Sequence, residues 1–193
     1  MRNRFTLFQS HLDLAHQYWS RLITVGDRVI DATCGNGHDT VFLASLGAKV
    51  ISIDVQQEAI NQAIERAQNE GVDQFVTFVN GCHSEFPEEV ENSSVKLIVY
   101  NLGYLPGGDK EITTQVMTTQ TSIQHAMELI SPGGMISITC YPGHQEGQRE
   151  EEELLNFFQI LNPQDWSCCQ HRWVNRKQSP SLILLQKNLN FVA

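Results

Sequence analysis

The 193-residue chain has no apolar run that approaches the roughly 18 residues needed to cross a bilayer, so no membrane span is expected. It has no basic excess: 13 Lys and Arg stand against 22 Asp and Glu, a net charge of −9. That balance speaks against broad nucleic-acid binding through a uniformly basic surface, while leaving room for a local patch. Arg2 and Arg4 open the chain, but Gln9, His11, Asp13 and His16 interrupt any apolar stretch behind them. The opening therefore does not read as a secretory signal. Cysteine is scarce and unpaired in pattern. Cys34, Cys82, Cys140, Cys168 and Cys169 are odd in number and show no CxxC spacing. A disulfide framework and a zinc knuckle both read poorly, no metal is expected, and reduced thiols in the cytoplasm read well. Adjacent Cys168 and Cys169 read as a buried strand pair. The acidic run Glu150–Glu153 reads as the solvated first turn of a helix, where negative charge suits the helix dipole.

What is present is an alternation of two periodicities. Apolar residues at helical spacing (Leu12, Ala15, Trp19, Leu22) predict a helix over about 9–22. Short apolar strands are predicted at 28–33, 49–54, 75–79, 95–100 and 135–139, with helices at 39–46, 57–70, 114–130 and 148–161 between or after them. Gly47 and Gly71 end two of those helices. Two further strands, about 166–174 and 181–186, are joined by the polar segment 175–180, which suits a hairpin. Strands alternating with helices imply a doubly wound parallel sheet, and the hairpin would insert an antiparallel strand. The expected fold is α/β: seven mostly parallel strands, helices on both faces and a C-terminal antiparallel hairpin. The chain reads as a single domain, 1–193, with 1–25 as a helical extension at its start.

The most informative stretch is Asp31-Ala-Thr-Cys-Gly35-Asn36-Gly37-His38-Asp39-Thr40, which leaves a strand and opens a helix. Glycines there allow a tight turn and close approach of backbone to a ligand. A dinucleotide loop would carry a third glycine where Thr40 stands. The D-x-x-x-G-x-G arrangement instead resembles motif I of class I methyltransferases, which wraps S-adenosylmethionine (SAM). The resemblance puts Asp31 near the amino-acid end of that cofactor and Gly35, Asn36 and Gly37 along its path. Asp39 could reach the same region or only stabilise the first helical turn. Asp54, 23 residues beyond Asp31 at a strand end, suits a ribose diol, and Gln56 could contact ribose or adenine. Cys82 and His83 follow the third strand, where the family places adenine.

After the fourth strand comes Tyr100-Asn101-Leu102-Gly103-Tyr104-Leu105-Pro106. Its position is that of the N-P-P-Y motif of methyltransferases acting on amino groups, in which the Asn oxygen accepts from the target amine and the aromatic residue stacks on the base. Asn101 and Tyr104 match; Leu102 and Gly103 depart, which speaks against a DNA-adenine target. His144, after the fifth strand, could assist proton removal, bind phosphate or cap the next helix. His11 and His16 could touch substrate, though packed or solvated histidines are the simpler reading.

The joint pattern D-A-T-C-G-N-G-H-D-T, Y-N-L-G-Y-L-P-G-G-D-K and Y-P-G-H-x-E-G is similar to a small bacterial family long labelled "putative rRNA methylase", over essentially the whole chain. Its members are tRNA methyltransferases that convert 5-aminomethyl-2-thiouridine at wobble position 34 to the methylaminomethyl nucleoside. The resemblance implies SAM as methyl donor, a tRNA anticodon arm as partner and a homodimer. Basic residues for RNA could be Arg2 and Arg4, or Arg172, Arg176 and Lys177 around Trp173. The competing readings are a SAM methyltransferase for rRNA, protein or a small molecule, a nucleotide-dependent oxidoreductase, and a non-catalytic SAM-binding or RNA-scaffolding subunit.

Overall fold

The computed structural model describes residues 7–103, 113–176 and 178–191. Among these, seven strands form one sheet in the order β3-β2-β1-β4-β5-β7-β6. The parallel strands are β1 (Arg28–Asp31), β2 (Lys49–Asp54), β3 (Val76–Asn80), β4 (Val95–Leu102) and β5 (Ile130–Cys140). β7 (Ser181–Lys187) lies antiparallel between β5 and the edge strand β6 (Trp166–His171). The expected Rossmann-like sheet with its terminal hairpin is what the chain forms.

Alternation along the strands sorts side chains onto two faces. Val29, Leu97, Val99, Met135, Leu182 and Leu184 form one face with Ala15 and Trp19 of α1 (His11–Leu22) and Leu43 and Ala44 of α2 (His38–Ser45). Ile30, Ile98, Tyr100, Ile136, Ile183 and Leu185 form the other. There they meet Ile123 and Ala126 of α4 (Val116–Leu129) and Leu154 and Phe158 of α5 (Gln145–Gln159). α3 (Gln57–Asn69) buries Ile60 and Ala63 against Cys34. α1 is thus a packed layer of the sheet. Its start is locally encoded: Ser10 and Asp13 form a reciprocal capping box.

Three local readings change. β5 begins at Ile130, directly from α4, because Ile130 pairs with Val95 and Met135 with Leu97, so Ser131–Gly134 bulge within the strand. α5 begins at Gln145, three residues earlier than expected. The acidic run therefore lies beyond its first turn, and Glu150 and Glu151 are buried rather than solvated. Thr114 and Thr119 hydroxyls donate to Glu150 at 2.7 and 2.6 Å, and Ser181 and Gln170 donate to Glu151. Burial raises the Glu150 pKa despite those two donors. Finally, Cys168 and Cys169 are exposed rather than buried, since β6 is the sheet edge.

Candidate active site

Ligands in open α/β sheets bind beyond the carboxyl ends of the strands, where the order reverses. Here β1 lies between β2 and β4, so chain leaving β1 and chain leaving β4 diverge to opposite sides. A cleft of about 1060 Å³ opens at that point. Its wall includes Gly35, Asn36, Asp39, Asp54, Gln56, Cys82, His83, Asn101 and His144, nine of the residues singled out in the sequence. Tyr104 and Lys177 lie outside the described residues, as do Arg2 and Arg4.

The loop after β1 is shaped by main-chain bonds. Cys34 N–H donates to the Ile53 carbonyl at 2.9 Å, and Gly35 N–H to the Asp54 carboxylate at 2.8 Å. Gly35 and Gly37 hold φ of +52° and +76°, a region that disfavours any residue with a Cβ. At Gly37 a Cβ would also lie 2.7 Å from Ala63 Cα, so only glycine lets the loop pass α3. Arg66 caps the turn from outside, its Nε donating to the Asn36 carbonyl at 2.7 Å. Asp54 also accepts from Gln56 N–H at 2.9 Å, which fixes its carboxylate at the cleft wall with lone pairs remaining.

Asp31 and Gly37 stand apart from the other cofactor candidates, because neither lines the cleft. The Asp31 carboxyl is fully buried beneath it, accepting from Thr40 Oγ1 at 2.6 Å and from Thr33 N–H at 3.3 Å. Burial, then repulsion from Asp39, lifts its pKa to about 7 against the pull of those donors. The folded state therefore keeps a proton that the unfolded chain releases above about pH 4. Stability from this group is intact below that pH and is lost as pH rises to about 7. Urea unfolding at pH 5 and pH 8 should show a decline, on the order of 3 kcal/mol if Asp31 acts alone. Asp31→Asn should flatten it, and an unchanged pH slope in that variant would refute the assignment.

On the opposite wall, β4 runs two residues past its expected end and carries Asn101 and Leu102 as strand residues. Asn101 N–H donates to Thr33 Oγ1 at 2.6 Å, and its side-chain Nδ2 donates to Asp39 Oδ2 at 2.8 Å. A carboxylate only accepts, so the amide must turn its nitrogen to Asp39 and leave Oδ1 without a protein partner among the described residues. The other Asp39 oxygen meets His16 Nε2 at 2.8 Å. Asp39 is therefore more than a helix-dipole residue: it ties α1, α2 and β4 together at the cleft. His144 is the N-cap of α5, its Nδ1 accepting from Gly147 N–H at 3.1 Å, which realises the capping role among its three possibilities. His83 is 7% exposed, its Nδ1 lacks a hydrogen-bond partner among the described residues, and burial lowers its pKa to about 4. It is a neutral imidazole offering polar edges.

His16, Thr33 and Tyr141 also line the cleft, and neither Thr33 nor Tyr141 was picked out in the sequence. One signal was available: Ser10, Asp13 and His16, three residues apart, run along one edge of α1 beside its buried Ala15 and Trp19.

Comparison with known proteins now decides the family. The family described as "Putative rRNA methylase" matches residues 50–187. The chain belongs to it. It is 37% identical over 190 residues to the chloroplastic tRNA (mnm5s2U34)-methyltransferase of Arabidopsis thaliana, covering 92% of this chain and 69% of that protein. The crystal structure of a "putative rRNA-methylase" from Clostridium thermocellum superposes with a TM-score of 0.89 at 33% identity, covering 93% of this chain and 98% of that one. A "putative methyltransferase" from Streptococcus mutans, solved in complex with SAH, gives 0.84 at 30% identity over 93% and 99% of the two chains. This rRNA methylase family member is a SAM-dependent methyltransferase, with SAM as its cofactor. Its cleft fits that group: the volume is ample for a nucleoside-sized ligand, the glycine turn admits close approach, and buried His83 presents a polar atom with no partner among the described residues. Among the described residues no helix is long and apolar enough to cross a membrane, and no cluster of His, Cys, Asp and Glu could hold a metal ion.

Proposed function

We propose that the protein methylates the amino group of 5-aminomethyl-2-thiouridine at position 34 of tRNA. The observation that carries this reading is the Asn101 amide on the cleft wall, whose nitrogen is held by Asp39 and whose oxygen has no protein partner among the described residues. An oxygen acceptor backed by a carboxylate suits a target that brings N–H donors and positive charge. The similarity to the Arabidopsis thaliana enzyme supports the same substrate. A tRNA 5-carboxymethoxyuridine methyltransferase of Escherichia coli is 25% identical over 117 residues, 61% of this chain and 41% of that protein. An anionic side arm of that kind would meet Asp39, and no Lys or Arg lines the cleft among the described residues, so the amine reading is preferred.

In this reading Gly35, Asn36, Asp54, Gln56, Cys82 and His83 hold the cofactor, with Asp31 and Gly37 shaping their loop from behind. SAM supplies an electrophilic methyl group. Asn101 aims the amine by accepting one N–H, so that the nitrogen lone pair is free for in-line attack. No covalent enzyme intermediate is needed, since a neutral primary amine is itself nucleophilic.

The rim of the cleft supports an RNA partner despite the acidic chain. Gln178, from the loop between β6 and β7, lines the cleft, and the same loop carries exposed Arg172 and Arg176. The Arg176 guanidinium lies 4.2 Å from the Trp173 ring centre, and Phe8 packs edge-on against that ring at 5.6 Å. Cation and aromatic surface side by side can neutralise phosphate and stack a base. The five free thiols suit a reducing compartment such as the cytoplasm, and the proposal includes a homodimer, which sedimentation equilibrium tests.

The deciding experiment incubates the protein with methyl-labelled SAM and tRNA carrying the unmethylated aminomethyl nucleoside, followed by nucleoside mass spectrometry. The labelled methylaminomethyl nucleoside is the expected product. SAM binding without that product would overturn the substrate and leave the enzyme class standing.

A further inference from the structure

An alkyl amine resembles a lysine side chain, with a pKa near 10, and is an ammonium at neutral pH. It has no lone pair until it loses a proton, so the reaction needs an acceptor within the cleft. Resting on the amine substrate proposed above, we propose that His16 of α1 is that acceptor, with Asp39 as its positioning partner.

Geometry sets His16 apart from the titratable groups around Asp39. Asp39 presents both carboxylate oxygens to protein donors, Oδ1 to His16 and Oδ2 to Asn101. Tyr141 is a phenol whose pKa burial, helped by Asp39, pushes up to about 12, so it stays protonated and has no lone-pair role as a base. His144 uses Nδ1 to cap α5. His11 lies outside the cleft wall with its Nε2 3.4 Å from Tyr141 Oη. Asp13, one turn before His16, closes the capping box with Ser10.

His16 differs from all of these. It lines the cleft with about 30% of its side chain exposed. Its ring stacks on Phe42 at 3.9 Å and 10°, which fixes its plane. Because a carboxylate accepts only, the proton of neutral His16 sits on Nε2, toward Asp39. Nδ1 then carries the lone pair, and it makes no hydrogen bond to the described residues. A carboxylate on the far nitrogen also stabilises the imidazolium that forms, the logic of histidine–aspartate pairs in hydrolases. The step balances simply. One N–H bond of the ammonium breaks, its electron pair stays on the amine nitrogen, the proton goes to His16 Nδ1, and solvent later removes it.

The same Asp39 thus serves two tasks. Through Asn101 it aims the amine, and through His16 it receives the proton, so α1 completes a site whose other parts come from β4 and α2.

Single-turnover methylation of aminomethyl tRNA is followed from pH 5.5 to 10 for the wild type and His16→Gln, with SAH affinity as a control. The wild-type rate should change by less than about threefold between pH 8 and 10, because the base within the cleft and not hydroxide takes the proton. The variant should bind SAH within about threefold, lose about 10³-fold in rate at pH 7, and climb with unit slope until the deficit disappears near pH 10. A structural role for His16 would give a loss that does not depend on pH, and that outcome overturns the proposal. A wild-type rate in the variant also overturns it. A wild type that transfers no methyl to this tRNA overturns the substrate reading and, with it, this step. Nitrogen-15 NMR of histidine-labelled wild type gives a readout without activity or the variant's folding. The Nε2–H tautomer at His16 is expected, and the Nδ1–H tautomer refutes the assignment.

Discussion

Asn101→Ala is expected to lower the rate of methyl transfer by about 10²- to 10³-fold with SAH affinity unchanged within about threefold. The side chain is not needed for the fold. Its backbone bond to Thr33 survives the substitution, and the neighbouring core of Tyr100 and Leu102 is untouched. Asp39 loses one donor but keeps His16, so the stability cost should stay near 1 kcal/mol. What disappears is the only oriented amide oxygen that β4 presents to the cleft. A loss of 10²-fold corresponds to about 2.7 kcal/mol of transition-state stabilisation, which is within reach of one well-aimed acceptor. Rapid-quench kinetics at saturating SAH-free SAM, with circular dichroism as the folding control, measures it. A variant that methylates at the wild-type rate would remove Asn101 from the mechanism.

Gly37→Ala should cost about 3 kcal/mol of stability, with more than tenfold weaker SAH binding. Two costs combine. An alanine at φ +76° carries about 1 kcal/mol of backbone strain. Its Cβ, 2.7 Å from both Ala63 Cα and Cβ, then forces α2 and α3 apart, an overpacking cost of about 1–3 kcal/mol. The neighbour is backbone, not the end of a flexible side chain, so it cannot simply swing away. Gly71→Ala is the matched control: φ is +68° and a Cβ there meets nothing within 4 Å, so only the backbone cost of about 1 kcal/mol should appear. Equal urea midpoints for the two variants would show that contact with Ala63 does not constrain the loop.

Much of this architecture is written locally. Val29 and Ile30, Leu97 and Ile98, and Leu184 and Leu185 alternate between two buried faces, and such runs are legible without any knowledge of partners. The glycine turn and the Asn101 strand end are likewise short-range features, because a turn at φ > 0 and a strand terminus each depend on a few consecutive residues. Burial of polar residues was less legible. Glu150 and Glu151 looked like solvent-facing charge until Thr119 of α4 and Ser181 of β7 met them from 31 and 30 residues away. Cys168 and Cys169 looked like core until the sheet order put β6 at its edge.

The sequence alone determined the class of fold and singled out the glycine loop after β1 and the asparagine at the end of β4, since each follows from periodicity or from a contiguous motif. Only the tertiary structure could join His16 to Asp39 across 23 residues and Asp39 to Asn101 across 62. Those pairings depend on which sheet face α1 crosses and on β1 and β4 being neighbours. Neither is encoded in local spacing; both are set by how the whole sheet buries its apolar faces.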